Sequence, residues 1–333
     1  MGTEASAQLD QIYAPIQEEV ELLTDFLRGE FESAEPFIFE ILEHISRFRG
    51  KQIRPALLFL THRLAGGTVE HDVVKIGAVL EMIHTATLVH DDLLDDASLR
   101  RKVATVHTRW GERAAILIGD FIYSRAFQLS TEVPGMAQVL SATTHKICEG
   151  ELLQIGHRHR PDMSEDIYFE IIRKKTAILH SVACRLGGVF AGLGEERCEH
   201  LSRFGMDLGM AFQIVDDCLD YSGDESVVGK SLGTDLHQGK VTLPLIYLRE
   251  SLSSPDRAED LDWLMKSLRG PLEPDVERRV QEMVRDHGVL TEVFSRANGF
   301  IQRAKATLEE VGSDEDLLGS LELVTDYVLK RRR

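Results

Sequence analysis

Residues 81–96 read EMIHTATLVHDDLLDD, and residues 209–220 read GMAFQIVDDCLD. In each, an apolar run with helical periodicity ends in a cluster of aspartates, the pattern of a buried helix whose last turn leaves the core. Residues i and i+4 of a helix lie on one face about one turn apart, so Asp91 and Asp95 point the same way, as do Asp216 and Asp220. Packing has no use for that arrangement. Carboxylates gathered at the inner end of an apolar helix repel one another and lose hydration, a cost most simply offset by divalent cations. All-oxygen ligands favour magnesium, which keeps several waters and takes one or two carboxylates per ion together with phosphate oxygens. The two clusters therefore predict a magnesium and diphosphate site between two helices. A single Asp-Asp pair is common on solvated helix faces. Two copies, each emerging from a buried-looking segment, set this chain apart.

Outward from these motifs the same periodicity continues. It predicts helices over Ala7–Gly29, Pro36–Arg49, Ile53–Leu64, His71–Leu94, Glu112–Ser130, Met136–His157, Ser164–Leu193, Glu196–Tyr221, Leu243–Ser251 and Ala258–Leu268, then an interrupted helical tail from Pro274 to Arg332. The joints are short, at Gly66-Gly67, Pro134-Gly135, Pro161-Asp162-Met163 and Ser253-Ser254-Pro255. No low-complexity linker divides the chain, so one all-helical domain over residues 1–333 is expected. The longest polar connection, Ser222 to Gly239, follows the second acid cluster and carries several glycines with Lys230 and Lys240. Beside a metal site, such a loop can close over a bound phosphate.

The formal net charge of −17 argues against a nucleic-acid surface, which needs a basic face, but not against a phosphorylated small substrate, which needs only local cations. Such cations are present. Lys51 and Arg54 sit in GKQIRP (50–55) at a predicted helix start, where the helix N-terminus adds partial positive charge. Arg100 and Arg101 follow the first acid cluster, and Lys174-Lys175-Thr176 lies inside an apolar run. Cys148, Cys184, Cys198 and Cys218 form no CxxC and are expected to be small buried residues in a reducing compartment. No segment approaches the roughly 20 apolar residues of a membrane span, and the opening residues show no signal pattern. A cytoplasmic location is expected.

The ordered series GKQIRP, EMIHTATLVHDDLLDD, GDFIYSRAF (119–127), EGELLQ (149–154), KTA (175–177), GMAFQIVDDCLD, GKSLGTD (229–235) and GKVTLP (239–244) resembles the trans-type (E) polyprenyl diphosphate synthases. The resemblance runs from about Leu23 to the C-terminus. It implies a single large helical bundle of the isoprenoid synthase type with a central active-site cavity, and a homodimer formed through apolar helix faces. It implies Asp91, Asp95 and Asp216 as magnesium ligands, with Asp92, Asp217 and Asp220 as further ligands or as acceptors behind them. Lys51, Arg54, His84 and Arg101 match the cradle for isopentenyl diphosphate. Arg100, Lys175, Thr176, Gln213 and Lys230 match residues that contact the allylic diphosphate or line the space beside the forming cation, and Lys240 matches a further diphosphate contact.

The implied reaction is condensation of isopentenyl diphosphate with an allylic diphosphate by way of an allylic carbocation. One departure from the family pattern follows Arg100-Arg101: a glycine and a Pro-Thr pair are usual there, whereas this chain has Lys102-Val103-Ala104-Thr105. Product length is expected from the residues just before Asp91. Ala86 and Thr87 are small and leave the upper tunnel open, Ile83 and Met82 lie one turn deeper, and Phe121, Tyr123 and Phe127 are candidates for a floor. The expected product is long, as for a quinone side chain, with geranylgeranyl or farnesyl diphosphate as the alternative. A class I terpene cyclase is disfavoured by the second DDxxD and the GKxxRP counterpart, and a non-catalytic partner subunit by the full set of aspartates.

Overall fold

Helices form where the apolar periodicity predicts them, and the exceptions have local causes. The computed structural model describes residues 2–48, 50–222, 233–308, 310–311 and 314–330. The elements are α1 (Gly2–Tyr13), α2 (Gln17–Glu30), α3 (Pro36–Ser46), α4 (Ile53–Leu64), α5 (His71–Leu94), β1 (Leu99–Arg100), β2 (Val103–Ala104), α6 (Val106–Trp110), α7 (Glu112–Thr131) and α8 (Met136–Gly156). They continue with α9 (Glu165–Ile172), a π-helical turn (Arg173–Ala177), α10 (Ile178–Phe190), α11 (Glu195–Ser222), α12 (Thr234–His237), α13 (Leu243–Ser251), α14 (Ala258–Ser267), α15 (Pro274–Asp286), α16 (Val289–Leu308) and α17 (Glu315–Lys330).

The expected first helix is broken by a 3-10 turn at Ala14–Ile16, because Pro15 has no N–H to continue the α ladder. A two-residue antiparallel hairpin, Leu99 opposite Ala104 and Arg100 opposite Val103, was not expected from periodicity. Its turn residues Arg101 and Lys102 are both left-handed, at φ 51° and 66°. Two left-handed central residues define the tight turn that matches strand twist.

The chain forms two compact units. The first comprises Met1–Thr144, Leu179–Gly205 and Ala306–Val324. Its centre is α5, which packs on α2, α4 and α7. Leu57, Leu58, Phe59 and Leu60 of α4 and Val79, Leu80, Met82, Ile83 and Ala86 of α5 are fully buried there. At Gly77 an added Cβ would stand 2.7 Å from the Phe59 ring, so a glycine permits the close approach of α4 and α5. By length and composition α5 could cross a membrane, contrary to the expectation that no segment comes close. In the fold, 67% of its most apolar stretch is buried inside the protein, as for a core helix.

The second unit comprises His145–Ile178, Met206–Lys305 and Thr325–Arg333. Ile171 and Ile172 of α9, Ile214, Val215 and Cys218 of α11, Leu243, Ile246 and Leu248 of α13, and Val293, Ala297 and Ile301 of α16 form its core. Cysteines 184, 198 and 218 are buried as expected, but Cys148 on α8 is exposed.

Candidate active site

In the first unit the site begins on α5. His84, Thr87, Asp91 and Asp95 follow one another at spacings of three, four and four, and all are half-buried, a stripe between the packed face and solvent. Their neighbours Ile83 and Ala86 are 1% and 0% exposed and belong to the packed face. Asp95 ends the helix, its N–H donating to the Asp91 carbonyl. Asp92 turns inward, 2% exposed, and its carboxylate accepts from Arg100 Nε at 2.9 and 2.8 Å and from Arg100 Nη2 at 2.7 Å.

The hairpin thus clamps the first acid motif, and its other strand is anchored in turn. His44 Nε2 donates to the Ala104 carbonyl at 2.7 Å, while His44 Nδ1 accepts from Arg109 Nη1 at 3.2 Å. A guanidinium can only donate, so Arg109 fixes the His44 tautomer. Neither His44 nor Arg109 carried a sequence signal of function. Arg101 Nη1 donates to the Phe48 carbonyl at 2.8 Å and lies over Gly50, where a Cβ would approach its Nη2 to 2.5 Å. The glycine of GKQIRP therefore leaves room for the guanidinium in this position. The exposed Lys51 accepts the Tyr13 hydroxyl on its backbone carbonyl. Gln52 takes the left-handed conformation, φ 48°, to start α4 and present Arg54.

Burial lowers the Arg54 guanidinium to about 10, against the pull of Glu81, so it stays cationic at neutral pH. His84 is pushed well below the ordinary histidine range by burial first, then by the charges of Arg54, His180, Arg100 and Arg101. It stands as a neutral imidazole in positive surroundings, suited to hydrogen-bond a diphosphate while the arginines supply the charge.

In the second unit a hydrogen-bonded chain joins three expected residues and one that was missed. Thr176 Oγ1 donates to Gln213 Oε1 at 2.8 Å, and Gln213 Nε2 donates to Asp217 Oδ1 at 2.8 Å. The buried Tyr168 hydroxyl donates to Asp217 Oδ2 at 2.7 Å. Burial, then the charge of Asp235, raises the Asp217 carboxyl well above its usual range, and the Tyr168 and Gln213 hydrogen bonds pull it back. Asp220 Oδ1 and Oδ2 accept the backbone N–H groups of Thr234 and Asp235 at 3.2 and 3.0 Å, fixing the start of α12. Asp235 in turn lies 3.4 Å from the ammonium of Lys240, which is 8% exposed. The Lys175 ammonium donates to Gln154 Oε1 at 2.9 Å and pairs with Glu151. Asp216 is half-buried. Lys230 lies outside the described residues.

Asp92, Asp217 and Asp220 accept hydrogen bonds from the protein, and Asp91, Asp95 and Asp216 are half-buried at the ends of apolar runs. Among the described residues, no group of three or more His, Cys, Asp or Glu forms a ready-made cage for a metal. An all-oxygen set of few carboxylates fits magnesium, whose remaining positions are filled by water and phosphate. Phe121 is 42% exposed. Tyr123 and Phe127 are half-buried, with ring centroids 5.4 Å apart.

Half-buried carboxylates, an arginine and a histidine in the first unit, and lysines held by acids in the second, are groups suited to binding metal and diphosphate. The polyprenyl synthetase family matches residues 35–283. The all-trans-nonaprenyl-diphosphate synthase (geranyl-diphosphate specific) of Rhodobacter capsulatus is 36% identical over 300 residues, 90% of either chain. The octaprenyl diphosphate synthase of Escherichia coli is 42% identical over 212 residues, 63% of this chain and 65% of that one. The crystal structure of a polyprenyl synthase from Caulobacter crescentus, complexed with calcium and isoprenyl diphosphate, superposes with a TM-score of 0.89 at 33% identity over 98% of both chains. The chain belongs to the polyprenyl synthetase family. It is a prenyltransferase with the all-α isoprenoid synthase fold.

Proposed function

We propose that the protein joins isopentenyl diphosphate head-to-tail to an allylic diphosphate with magnesium, giving a long-chain trans-polyprenyl diphosphate. The observation that carries this reading is the half-buried stripe His84, Thr87, Asp91 and Asp95, which sets metal-type carboxylates in line with a neutral histidine among arginines. Asp91, Asp95 and Asp216 would hold the metal, and bound magnesium would neutralise the allylic diphosphate as its carbon–oxygen bond breaks. Lys175 and Lys240 add cationic hydrogen-bond donors for the leaving diphosphate. Lys51, Arg54 and Arg101 hold the acceptor diphosphate by charge and His84 by a hydrogen bond, which orients the isopentenyl double bond for attack. Thr176 and Gln213 present hydroxyl and amide dipoles beside the forming cation. The released diphosphate accepts the proton, so no side-chain base is required. Apolar walls exclude the water that would quench a cation.

Long-chain synthases among the relatives and the small, half-buried Thr87 support a long product. Exposed Ile116, Leu117 and Phe121 on α7 support a homodimer, since contiguous apolar surface marks an interaction site. The test is to supply purified protein with magnesium and labelled isopentenyl diphosphate, with and without an allylic diphosphate, and to size the dephosphorylated products by chromatography. Consumption should require the allylic substrate, and products should run beyond geranylgeraniol. Consumption without it would overturn the reaction, and products of farnesol size would overturn the length.

A further inference from the structure

The π-helical turn Arg173–Ala177 carries Lys175 and Thr176, and it is pressed against one residue of α8. A Cβ added at Gly150 would stand 2.5 Å from the Lys175 backbone nitrogen, 2.9 Å from Lys174 Cβ and 3.0 Å from the Lys174 carbonyl carbon. Two of those three atoms are backbone and cannot swing away. Gly150 lies inside a helix, where glycine is unfavourable relative to alanine, so its presence calls for a cause such as this contact. One residue further along α8, Glu151 pairs with the Lys175 ammonium, and one turn beyond Gly150, Gln154 Oε1 accepts from it at 2.9 Å. The same short stretch of α8 therefore meets Lys175 at both ends, backbone and ammonium.

The turn has its own signature. The Ile178 N–H donates to the Arg173 carbonyl, a π-type bond that widens the helix by one residue. That extra residue sets the direction of the next hydroxyl, so Thr176 Oγ1 meets Gln213 on α11. From this geometry we infer that Gly150, Glu151 and Gln154 are positioning residues. Gly150 admits the widened turn, and the two polar side chains hold the Lys175 ammonium where it meets the allylic diphosphate. None of the three needs to touch substrate. The inference rests on the role proposed above for Lys175.

The test is a mutant cycle on the full-length protein. Gly150→Ala should speed amide exchange at residues 174–178 and lower turnover about tenfold or more, because small displacements of a positioned group cost that much. The Michaelis constant for isopentenyl diphosphate should stay within about twofold, since its cradle is elsewhere. In a Lys175→Ala background, Gly150→Ala and Glu151→Gln should each cost much less than in the wild type. If Gly150→Ala fails to fold, Glu151→Gln and Gln154→Ala carry the same kinetic cycle. Unchanged exchange in a folded Gly150→Ala protein, or equal penalties in both backgrounds, would overturn the inference. Wild-type turnover in Lys175→Ala alone, with faster exchange in Gly150→Ala, would sink the proposed role of Lys175 and support the control of the turn by Gly150.

Discussion

Arg100 grips Asp92 through three contacts of 2.7 to 2.9 Å, on a carboxylate that is almost fully buried. The pair ties the hairpin to the last turn of α5, so a residue of the acid motif is structural in its immediate bonding. Removing one partner of a buried pair leaves the other charge uncompensated, a loss of about 3 to 5 kcal/mol. Asp92→Ala should therefore lower unfolding free energy by about 3 kcal/mol in denaturant titration. Asp92→Asn, which keeps an acceptor for Arg100, should lose less. Equal losses would show that the guanidinium does not depend on this contact.

Asp91→Ala and Asp216→Ala should tell chiefly on turnover. Each removes a proposed metal ligand, and turnover should fall by at least about two orders of magnitude. Near-normal turnover at saturating magnesium in either variant would defeat the metal assignment.

His84 gives a pH dependence. Its folded pKa lies well below 6.5, so the unfolded chain binds its proton first as pH falls. Stability contributed by the neutral form is complete above about 6.5 and is lost as pH drops toward the folded value. His84→Gln should flatten the decline in thermal midpoint between about pH 7 and pH 5, and raise the Michaelis constant for isopentenyl diphosphate more than that for the allylic substrate. An unchanged pH slope would mean the imidazole is not buried in neutral form.

At Lys102 the departure from the family's usual glycine meets its structural cost. The residue sits at φ 66°, where a side chain crowds the backbone by about 1 kcal/mol or more and glycine does not. Lys102→Gly should raise stability by about 1 kcal/mol with activity retained, as read by thermal unfolding and turnover. A lower thermal midpoint would show that the lysine side chain makes a compensating contact.

Most of this fold was legible because helix periodicity is a local property, and α4, α5, α7 and α13 begin and end within about a residue of their expected bounds. The hairpin was not, since Leu99–Ala104 is too short to show alternation and its turn uses Arg-Lys where sequence rules look for Asn-Gly. The paired acid motifs could be read from spacing. The hold of Arg100 on Asp92, of Tyr168 on Asp217 and of the Thr234 amide on Asp220 could not, because these are tertiary contacts with no sequence pattern. Tyr168 lies in no sequence motif, and its hydroxyl on Asp217 is what marks it.

The final prediction separates Ala86 from Thr87, which the sequence treats alike as small residues before Asp91. Ala86 is fully buried in the packed face of α5, whereas Thr87 is half-buried on the stripe with His84 and Asp91, its hydroxyl donating to the His84 carbonyl at 2.8 Å. A ring at position 86 must displace core side chains, at a cost of about 1 to 3 kcal/mol. On the proposed reading, a ring at 87 would obstruct a growing chain as it leaves the metal motif. Thr87→Phe should therefore shorten products toward the farnesyl or geranylgeranyl range with near-normal stability, and Ala86→Phe should chiefly lower the thermal midpoint. Chromatographic sizing of products beside thermal unfolding distinguishes them. Wild-type product length from an active Thr87→Phe enzyme would move the tunnel to another face of α5.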